Sequence, residues 1–380
     1  MALNRVKKIQ EFGQSIWYDN LERRLIREGA FQKMIAQDGL RGVTSNPTIF
    51  DKAISKSKDY DGDIYRLADQ GLSTEEIYWS LVIRDIQDVA DIFEKVYRET
   101  GGLDGYVSLE VNPLLARETE KSIEQALDLW RRVGRKNLMV KIPATREGIP
   151  AIRELIRRGL NINVTLIFST RRYREVMQAY LEGLEERSRR GEPIDPISSV
   201  ASFFVSRVDT LADKALEERI KAEKDPARVE MTKGLLGKTA IANSKLAYRE
   251  FERFFASRAF AALKAKGGRV QRPLWASTST KNPQYSDVLY VEALIGPHTV
   301  DTLPPATLDA FRDHGRAEER LTKDVDDALR IFDRLGRAGI DMGLITDQLE
   351  DQGVELFAKS FTDLLTHLGE KTARLRASGS

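Results

Sequence analysis

Eight short apolar runs, separated by long helical patterns, constrain the fold of this chain more than any other feature. The runs are QSIWYD (14–19), GVTSNP (42–47), GYVSLEV (105–111), NLMVKIPAT (137–145), NINVTLIFS (161–169), SVASFFVS (199–206), PLWAST (273–278) and HTVDTLP (298–304). Runs such as NLMVKI lack the alternation of apolar and polar residues that a half-exposed strand shows. They therefore predict strands covered on both faces, which is typical of a parallel sheet.

Amphipathic segments lie between these runs, and their apolar residues return every three or four positions, as in a helix. Residues 74–99 and 116–134 are the clearest examples. An open doubly wound sheet would follow the same alternation of strand and helix. The count of eight strands, and the lack of a glycine-rich G-x-G-x-x-G turn after any of them, favour a closed (β/α)₈ TIM barrel.

Two intervals are longer than one strand-and-helix unit and predict extra helices outside the barrel. They are residues 47–104 and residues 207–272, the second with a long helix over 231–266. After residue 304 the chain is helical in pattern and is expected to fold back over a rim of the barrel. We therefore predict one domain over residues 1–375, with C-terminal helices from about 305, and a disordered tail at 376–380.

The composition excludes several kinds of chemistry. The chain has no cysteine and only three histidines, and these lie late in the sequence without metal-ligand spacing, so a thiolate site, a histidine-built metal centre and a Ser-His-Asp triad are not expected. A net charge of +2 does not create the positive electrostatic field that marks a nucleic-acid-binding protein. No segment approaches the ~20 continuous apolar residues of a membrane span. These features predict a cytoplasmic enzyme that uses carboxylates and lysine.

Polar residues at the ends of the apolar runs are the first candidates for a site, because a barrel of this kind gathers its active site at the carboxyl ends of its strands. They are Asp19, Asn46, Glu110, Lys141, Asn163, Thr165, Ser202 and Ser277. The set is more polar than a structural rim requires, and it therefore indicates a site.

Lys141 stands between apolar residues, after Leu138–Val140 and before Ile142. An inward-facing ammonium there would be desolvated, which favours the neutral amine, and a neutral amine can attack a ketone. The alternative is a lysine at a strand end that extends to solvent.

Glu110 and Asp19 end the apolar runs LDGYVSLE and QSIWYD. Schiff-base chemistry needs one group to move protons during imine formation and another to take the hydroxyl proton when the carbon–carbon bond breaks. These carboxylates could supply both roles. The alternative is that they are structural carboxylates in salt bridges near the rim.

Arg207 follows the run SVASFFVS at the start of a predicted helix, where backbone N–H groups also attract anions. Ser202 and Ser277 would add hydroxyl donors to an anion pocket for a phosphorylated substrate. The alternative is a surface arginine paired with Asp209 or Asp213.

Five segments in this order resemble the transaldolase family. They are GVTSNPTIF (42–50), VSLEVNP (107–113), MVKIPAT (139–145), NVTLIFS (163–169) and SFFVSR (202–207). The spacing is similar to that of the family from residue 15 to about 305, and the tail with DQLEDQGVELF (347–357) resembles that of the longer bacterial members.

The resemblance implies a role for each candidate residue. Lys141 would be the Schiff-base lysine, Asp19 the acid and base of aldol cleavage, and Glu110 the group that activates a water during imine formation. Residues that line the pocket, orient that water and hold substrate hydroxyls would be Thr44, Asn46, Asn163 and Thr165, and those on the phosphate side would be Ser202, Arg207 and Ser277. No metal or organic cofactor is implied.

Two positions depart from patterns in the family. Classical members follow the serine of strand seven with an arginine that binds phosphate, whereas this chain reads STSTKNP, so that Lys281 is the candidate substitute. Relatives that act as fructose 6-phosphate aldolases carry a tyrosine where Phe204 aligns. A tyrosine could help to protonate the bound enamine and release dihydroxyacetone, so Phe204 favours transfer of the three-carbon unit.

The resemblance thus implies transfer of dihydroxyacetone from sedoheptulose 7-phosphate or fructose 6-phosphate to glyceraldehyde 3-phosphate or erythrose 4-phosphate. Two alternatives stay open: a dihydroxyacetone-dependent aldolase that acts on fructose 6-phosphate, and an inert barrel that only binds sugar phosphates. The expected partners are phosphorylated sugars, with no nucleic acid and no membrane. The sequence leaves the oligomeric state open, a homodimer among the possibilities.

Overall fold

The barrel is closed and entirely parallel, as the sequence predicts. A computed structural model describes residues 4–378, and in it each strand pairs with the next while β8 pairs with β1. The strands are β1 (Gln14–Tyr18), β2 (Gly42–Thr44), β3 (Tyr106–Glu110), β4 (Leu138–Pro143), β5 (Ile162–Ile167), β6 (Ser199–Phe204), β7 (Arg272–Ala276) and β8 (Thr299–Leu303). Every strand residue is buried, which explains why the apolar runs do not alternate.

Seventeen α-helices lie within residues 4–378. They are α1 (Arg5–Lys8), α2 (Arg23–Arg27), α3 (Ala30–Asp38), α4 (Pro47–Lys56), α5 (Asp61–Asp69), α6 (Thr74–Glu99), α7 (Thr119–Val133), α8 (Gly148–Arg157), α9 (Thr170–Arg189), α10 (Ser206–Ala222), α11 (Pro226–Lys233), α12 (Thr239–Phe255), α13 (Arg258–Lys264), α14 (Leu289–Ala293), α15 (Pro305–His314), α16 (Val325–Arg337) and α17 (Met342–Ser378). No helix in this part of the chain combines the length and apolar character that a membrane crossing requires.

The prediction for residues 74–99 is confirmed by α6, whose bounds are the same. Ser73 begins it with a capping box, in which its side chain accepts from the Glu76 N–H and the Glu76 carboxylate accepts from the Ser73 N–H. The helix predicted over 116–134 is α7, which ends before Gly134 in the left-handed conformation.

The single long helix predicted over 231–266 is wrong, because the segment is divided among α11, α12 and α13. Gly237, between the first two, has a φ of 68°, in the left-handed region where glycine is favoured. Ser257 then begins α13 by accepting a hydrogen bond from the Phe260 N–H. Local helix signals at these two positions therefore overcome the amphipathic pattern that continues across them.

The last helix, α17, contacts α4, α5, α6 and α10 and the end of β5, and so lies over the carboxyl rim. Apolar residues of its second half, Phe361, Leu364 and Leu368, are each 1% exposed. The helix continues to Ser378, so residues 376–378 of the tail predicted at 376–380 are helical. Residues 379–380 lie outside the described part of the chain.

Gly148, at the start of α8, lets this helix begin directly against the end of β4. A β-carbon there would lie 2.0 Å from the Pro143 carbonyl oxygen, so a side chain would displace the strand that carries Lys141. We expect Gly148→Ala to lower the free energy of unfolding by about 1–3 kcal/mol, measured by urea denaturation. Gly62→Ala in α5 is the control, since a β-carbon at that position would contact nothing within 4 Å. Equal stability of the two variants would contradict the prediction.

Candidate active site

Three polar side chains on neighbouring strands form one layer of the barrel. Lys141 on β4 is in register with Glu110 on β3 and with Asn163 on β5. Residues in register on adjacent strands point to the same side of a sheet, so the sequence positions of these three residues bring them together. The lysine thereby has a carboxylate on one side and an amide on the other.

The Lys141 side chain is 7% exposed and remains in the barrel interior. Its Nζ donates to Glu110 Oε2 at 3.2 Å and to the Ser45 carbonyl oxygen at 3.1 Å. The alternative of a lysine that extends to solvent is therefore wrong. Burial raises the pKa of Glu110, and the positive charge of Lys141 opposes that rise. A carboxyl with a raised pKa beside an amine is able to exchange protons with it.

Asp19 directly follows β1, and its N–H donates to the Leu303 carbonyl at 2.9 Å. Its carboxylate accepts from the Thr44 hydroxyl at 2.7 Å. Burial raises the pKa of Asp19, while the hydrogen bond from Thr44 and the charges of Lys141 and Lys281 act in the opposite direction. No arginine or lysine within residues 4–378 forms a salt bridge with Asp19, so the structural alternative does not apply to it.

A cavity of about 440 Å³ opens at this end of the barrel. Its lining includes ten of the twelve residues singled out in the sequence, namely Asp19, Thr44, Asn46, Lys141, Thr165, Ser202, Phe204, Arg207, Ser277 and Lys281. The other two, Glu110 and Asn163, lie behind the cavity wall. A volume of this size suits a small molecule better than a polymer.

Asn163 lies behind the cavity wall, and its contact with substrate hydroxyls stays a prediction. Its side chain is fully buried, where its amide NH₂ donates to Ser108 Oγ at 3.0 Å and its carbonyl oxygen accepts from Ser202 Oγ at 2.7 Å. Asn163 therefore acts on the cavity through Ser202, whose hydroxyl it orients. The alternation of side chains along β5 gives the direction of Asn163 but not its depth below the rim.

Thr165 lies two residues further along β5, at the cavity wall. Its hydroxyl is buried and has no hydrogen-bond partner in the described chain. A buried hydroxyl without a partner carries a free-energy cost of about 1–3 kcal/mol. The next residue, Leu166, has a φ of 61°, within an irregularity of the pairing between β5 and β6. Thr165 is thus available to a ligand beside a strained turn of the strand, as is common next to active sites.

Asn46 has a second role as the N-cap of α4. Its side-chain oxygen accepts from the Ile49 N–H at 3.0 Å, which fixes the side chain at the cavity edge. Ser277 has a φ of 57°. Its hydroxyl lies 3.0 Å from that of Ser206, the first residue of α10, so that the ends of β6 and β7 are joined at the rim.

Arg207 lies in the first turn of α10, with its guanidinium 5.8 Å from the centre of the Phe204 ring. Asp209 and Asp213 do not pair with it. They accept instead from tyrosine hydroxyls and from backbone N–H groups at and before the start of α12. The alternative of a surface ion pair is therefore wrong, and Arg207 has no carboxylate partner within residues 4–378.

Lys281 gives the cavity a second cation, which donates to Ser279 Oγ at 2.7 Å. Burial lowers the pKa of Arg207, and burial and the neighbouring Arg207 lower the pKa of Lys281. Two cations in one cavity, whose charged forms are both disfavoured there, mark a place where an anion is stabilised.

Sequence reasoning missed three contributors to the site. The Ser45 carbonyl could not be found from the sequence, because every residue has a backbone carbonyl and its contact with Lys141 does not depend on the residue type. Lys52 lines the cavity from α4, but nothing in its surroundings distinguishes it from other helical lysines. Phe357 also lines the cavity and comes from α17, more than 200 residues after Lys141 in the sequence. A search of strand ends could not find it.

The closed barrel and the lysine, carboxylate and cation set at its carboxyl rim define the class: a (β/α)₈-barrel enzyme with an anion-receiving active site. The family model described as Transaldolase/Fructose-6-phosphate aldolase matches residues 16–368, and the chain belongs to this family.

Curated relatives match along nearly the full length of the chain. The chain is 46% identical to a transaldolase of Trichodesmium erythraeum over 377 residues, which cover 99% of each protein. It is 47% identical to a transaldolase of Saccharopolyspora erythraea over 369 residues, which cover 97% of this chain and 98% of the relative. A transaldolase of Thermobifida fusca is 46% identical over 369 residues, with the same shares covered.

Proposed function

We propose that this protein is a transaldolase, which moves a dihydroxyacetone unit between sugar phosphates through a Schiff base on Lys141. The donor is sedoheptulose 7-phosphate or fructose 6-phosphate, and the acceptor is glyceraldehyde 3-phosphate or erythrose 4-phosphate. The observation that carries the proposal is the buried pair of Lys141 and Glu110, 3.2 Å apart, at a cavity that also contains Asp19. The names of the curated relatives support the same reaction.

In the proposed first step, Lys141 gives a proton to Glu110 and its neutral amine attacks the ketone carbon of the donor. The carbinolamine hydroxyl then takes a proton from Glu110, directly or through a water, and leaves as water. The raised pKa of Glu110 suits both directions of this transfer. The product is an iminium ion, whose positive nitrogen is the electron sink for the next step, so no metal or organic cofactor takes part.

In the proposed second step, the Asp19 carboxylate takes the proton of the C4 hydroxyl. The bond between C3 and C4 breaks, its electron pair moves toward the iminium nitrogen, and the aldehyde leaves. The enamine that remains on Lys141 adds to the acceptor aldehyde while Asp19 returns the proton. Thr44 holds the Asp19 carboxylate in place, and Asn46 and Thr165 bind hydroxyl groups of the sugar.

Arg207 and Lys281 are proposed to bind the phosphate group, with Ser277 and Ser202 on the same side of the cavity. We expect Arg207→Ala to raise KM for fructose 6-phosphate by about 10- to 100-fold, because one charge-assisted contact is lost. Steady-state kinetics measure this effect, and Lys214→Ala, an exposed cation of the same helix, is the control. An equal rise in KM for unphosphorylated fructose would contradict the assignment.

The nearest alternative, a fructose 6-phosphate aldolase, releases free dihydroxyacetone. Phe204 argues against it, because this side chain packs against Phe168 with ring centres 5.2 Å apart and offers no hydroxyl to the enamine. The second alternative, an inert binding barrel, would leave the buried lysine and carboxylate without a purpose.

The proposal is tested by incubating the protein with fructose 6-phosphate, with and without erythrose 4-phosphate. A transaldolase forms glyceraldehyde 3-phosphate and sedoheptulose 7-phosphate continuously only when the acceptor is present. Continuous release of dihydroxyacetone without the acceptor would establish the aldolase instead. Binding of the sugar with neither product would establish the inert barrel.

This reaction belongs to the non-oxidative pentose phosphate pathway, and we propose that the protein acts in the cytoplasm, where charged sugar phosphates are retained. We propose a homodimer as its assembly, since two-fold dimers are the commonest soluble oligomers. Cell fractionation and light scattering measure the two properties.

A further inference from the structure

The helix α17 brings one aromatic ring over the amine of Lys141. The ring centre of Phe357 lies 5.8 Å from Lys141 Nζ, and the side chain is 8% exposed. Its neighbour Leu356 also lines the cavity but is 43% exposed. Phe357 is therefore the residue of α17 that covers the lysine nitrogen on this side of the cavity.

The position of α17 is fixed at both ends of the rim. The ion pairs that join it to elements after β2, β3 and β5 are Arg117–Asp351 (2.6 Å), Arg171–Asp347 (2.5 Å), Arg172–Glu350 (3.1 Å), His367–Asp51 (2.8 Å) and Lys371–Asp61 (2.6 Å). Three of these pairs are at least partly exposed and contribute at most about 1 kcal/mol each. Arg172–Glu350 and Lys371–Asp61 are largely buried. These two pairs and the buried apolar residues of the second half therefore hold the helix over the rim.

Gly353 sets how closely α17 approaches the barrel. A β-carbon at this position would lie 3.0 Å from Leu166 Cδ2 and 3.5 Å from the Phe168 ring. A side chain here would crowd Leu166 at the end of β5, which would have to give way by a few tenths of an ångström. Phe357 follows Gly353 by four residues, about one helical turn, and so faces the same side of the helix. The glycine thus allows the aromatic ring to reach Lys141.

We propose that Phe357 is a positioning residue that keeps water away from the imine on Lys141, so that the bound three-carbon unit waits for an acceptor. This inference rests on the proposed transaldolase function. In the side reaction that it suppresses, the enamine carbon takes the proton that Asp19 received in the cleavage step, and a water oxygen attacks the resulting imine carbon while one water proton passes to Glu110. The carbon–nitrogen bond then breaks, its electron pair and the second water proton go to the Lys141 nitrogen, and dihydroxyacetone is released.

Phe357 is suited to this role because it places an aromatic ring beside the Lys141 nitrogen. An aromatic ring on this side of the nitrogen offers no hydrogen bond to water, and its face attracts a positive charge, so it also stabilises the iminium ion. Phe204 lies instead beside Arg207, on the proposed phosphate side. The two phenylalanines therefore have different proposed roles. Loss of Phe357 is expected to affect hydrolysis of the intermediate more than binding of the phosphate.

The test measures how the intermediate partitions. The protein is loaded with fructose 6-phosphate, and free dihydroxyacetone and transfer to erythrose 4-phosphate are quantified, with borohydride trapping of the three-carbon adduct and mass spectrometry. We expect Phe357→Ala to raise the ratio of release to transfer by at least about tenfold. Phe357→Leu, which keeps an apolar but smaller cover, should give a smaller increase. Leu344→Ala, a 70% exposed position on the same helix, is the control and should leave the ratio unchanged.

An unchanged ratio in folded Phe357→Ala would overturn the inference. If that variant does not fold, Phe357→Leu decides in the same way, since it also opens the cover. A different result would contradict the proposed function itself: the unaltered protein would form no adduct on Lys141. An adduct and normal transfer in the unaltered protein, with no effect of either variant on the ratio, would contradict the role of Phe357 alone.

Discussion

Lys141→Ala is expected to lower kcat for dihydroxyacetone transfer by at least about 10⁴-fold, since no other group can form the imine. The reason is geometric as well as chemical. Lys141 Nζ lies inside the barrel at the cavity wall, 3.2 Å from the carboxylate with which it exchanges a proton. The other lysines at the cavity, Lys52 and Lys281, have no such carboxylate partner within the described residues.

The measurement combines initial rates with mass spectrometry after borohydride treatment in fructose 6-phosphate. A reduced three-carbon adduct should map to Lys141 in the unaltered protein and be absent from the variant. Lys136→Ala, an exposed lysine just before the same strand, is the control and should keep both rate and adduct. Residual activity above a hundredth of normal in Lys141→Ala would show that the covalent mechanism is wrong.

The same variant leaves Glu110 buried without its cation. Loss of one partner from a buried pair costs about 3–5 kcal/mol when the other stays charged. Burial already raises the pKa of Glu110, so we expect it to take up a proton and avoid most of that cost. A thermal melt of the variant checks that the lost activity does not come from unfolding.

The fold could be predicted because its signal is local and repeated. Strands buried on both faces leave continuous apolar runs, and eight of them in succession favour a barrel. The division of residues 231–266 could not be predicted from the apolar pattern, which continues through the breaks. It depends on Gly237 in the left-handed region and on the cap at Ser257, which are weaker signals than the pattern itself.

The candidate site was only partly predictable, because residue type and position along a strand give direction but not partners. The end of β4 predicted a buried lysine, yet only tertiary contacts show that it meets Glu110 and the Ser45 carbonyl. Likewise, Asp209 and Asp213 lie close to Arg207 in the sequence but are held by other groups. Phe357 comes from a helix whose path across the rim depends on packing, so its place above Lys141 could not be deduced from spacing.

Asp19→Asn is expected to lower kcat by about 10²- to 10⁴-fold, the usual contribution of a positioned general acid and base. Asparagine keeps the shape of the side chain and can still accept from the Thr44 hydroxyl, so the geometry of the site should survive. What it cannot do is take the C4 hydroxyl proton. Imine formation on Lys141 precedes that step, and borohydride should still trap the intact six-carbon donor on the lysine.

The pH dependence provides a second readout for the same variant. Asp19 acts as a base only when ionised, and burial raises its pKa above the ordinary value of 3.8. The rate of the unaltered protein should therefore fall as pH decreases through that raised pKa, at a higher pH than for an exposed aspartate. Asp19→Asn should lose this part of the acid limb, whereas Asp69→Asn, an exposed position on α5, should keep both the rate and the profile.

Stability should change in the opposite direction to activity. Because the folded-state pKa of Asp19 is raised, its ionised form is less stable in the folded protein than in the unfolded chain. The penalty is absent below the unfolded-state pKa and is fully present above the folded-state pKa. At neutral pH we therefore expect Asp19→Asn to melt at a higher temperature than the unaltered protein, with the difference vanishing in acid. A variant that lost activity but melted lower at neutral pH would indicate a structural carboxylate, and the role of Asp19 in carbon–carbon bond cleavage would have to be given up.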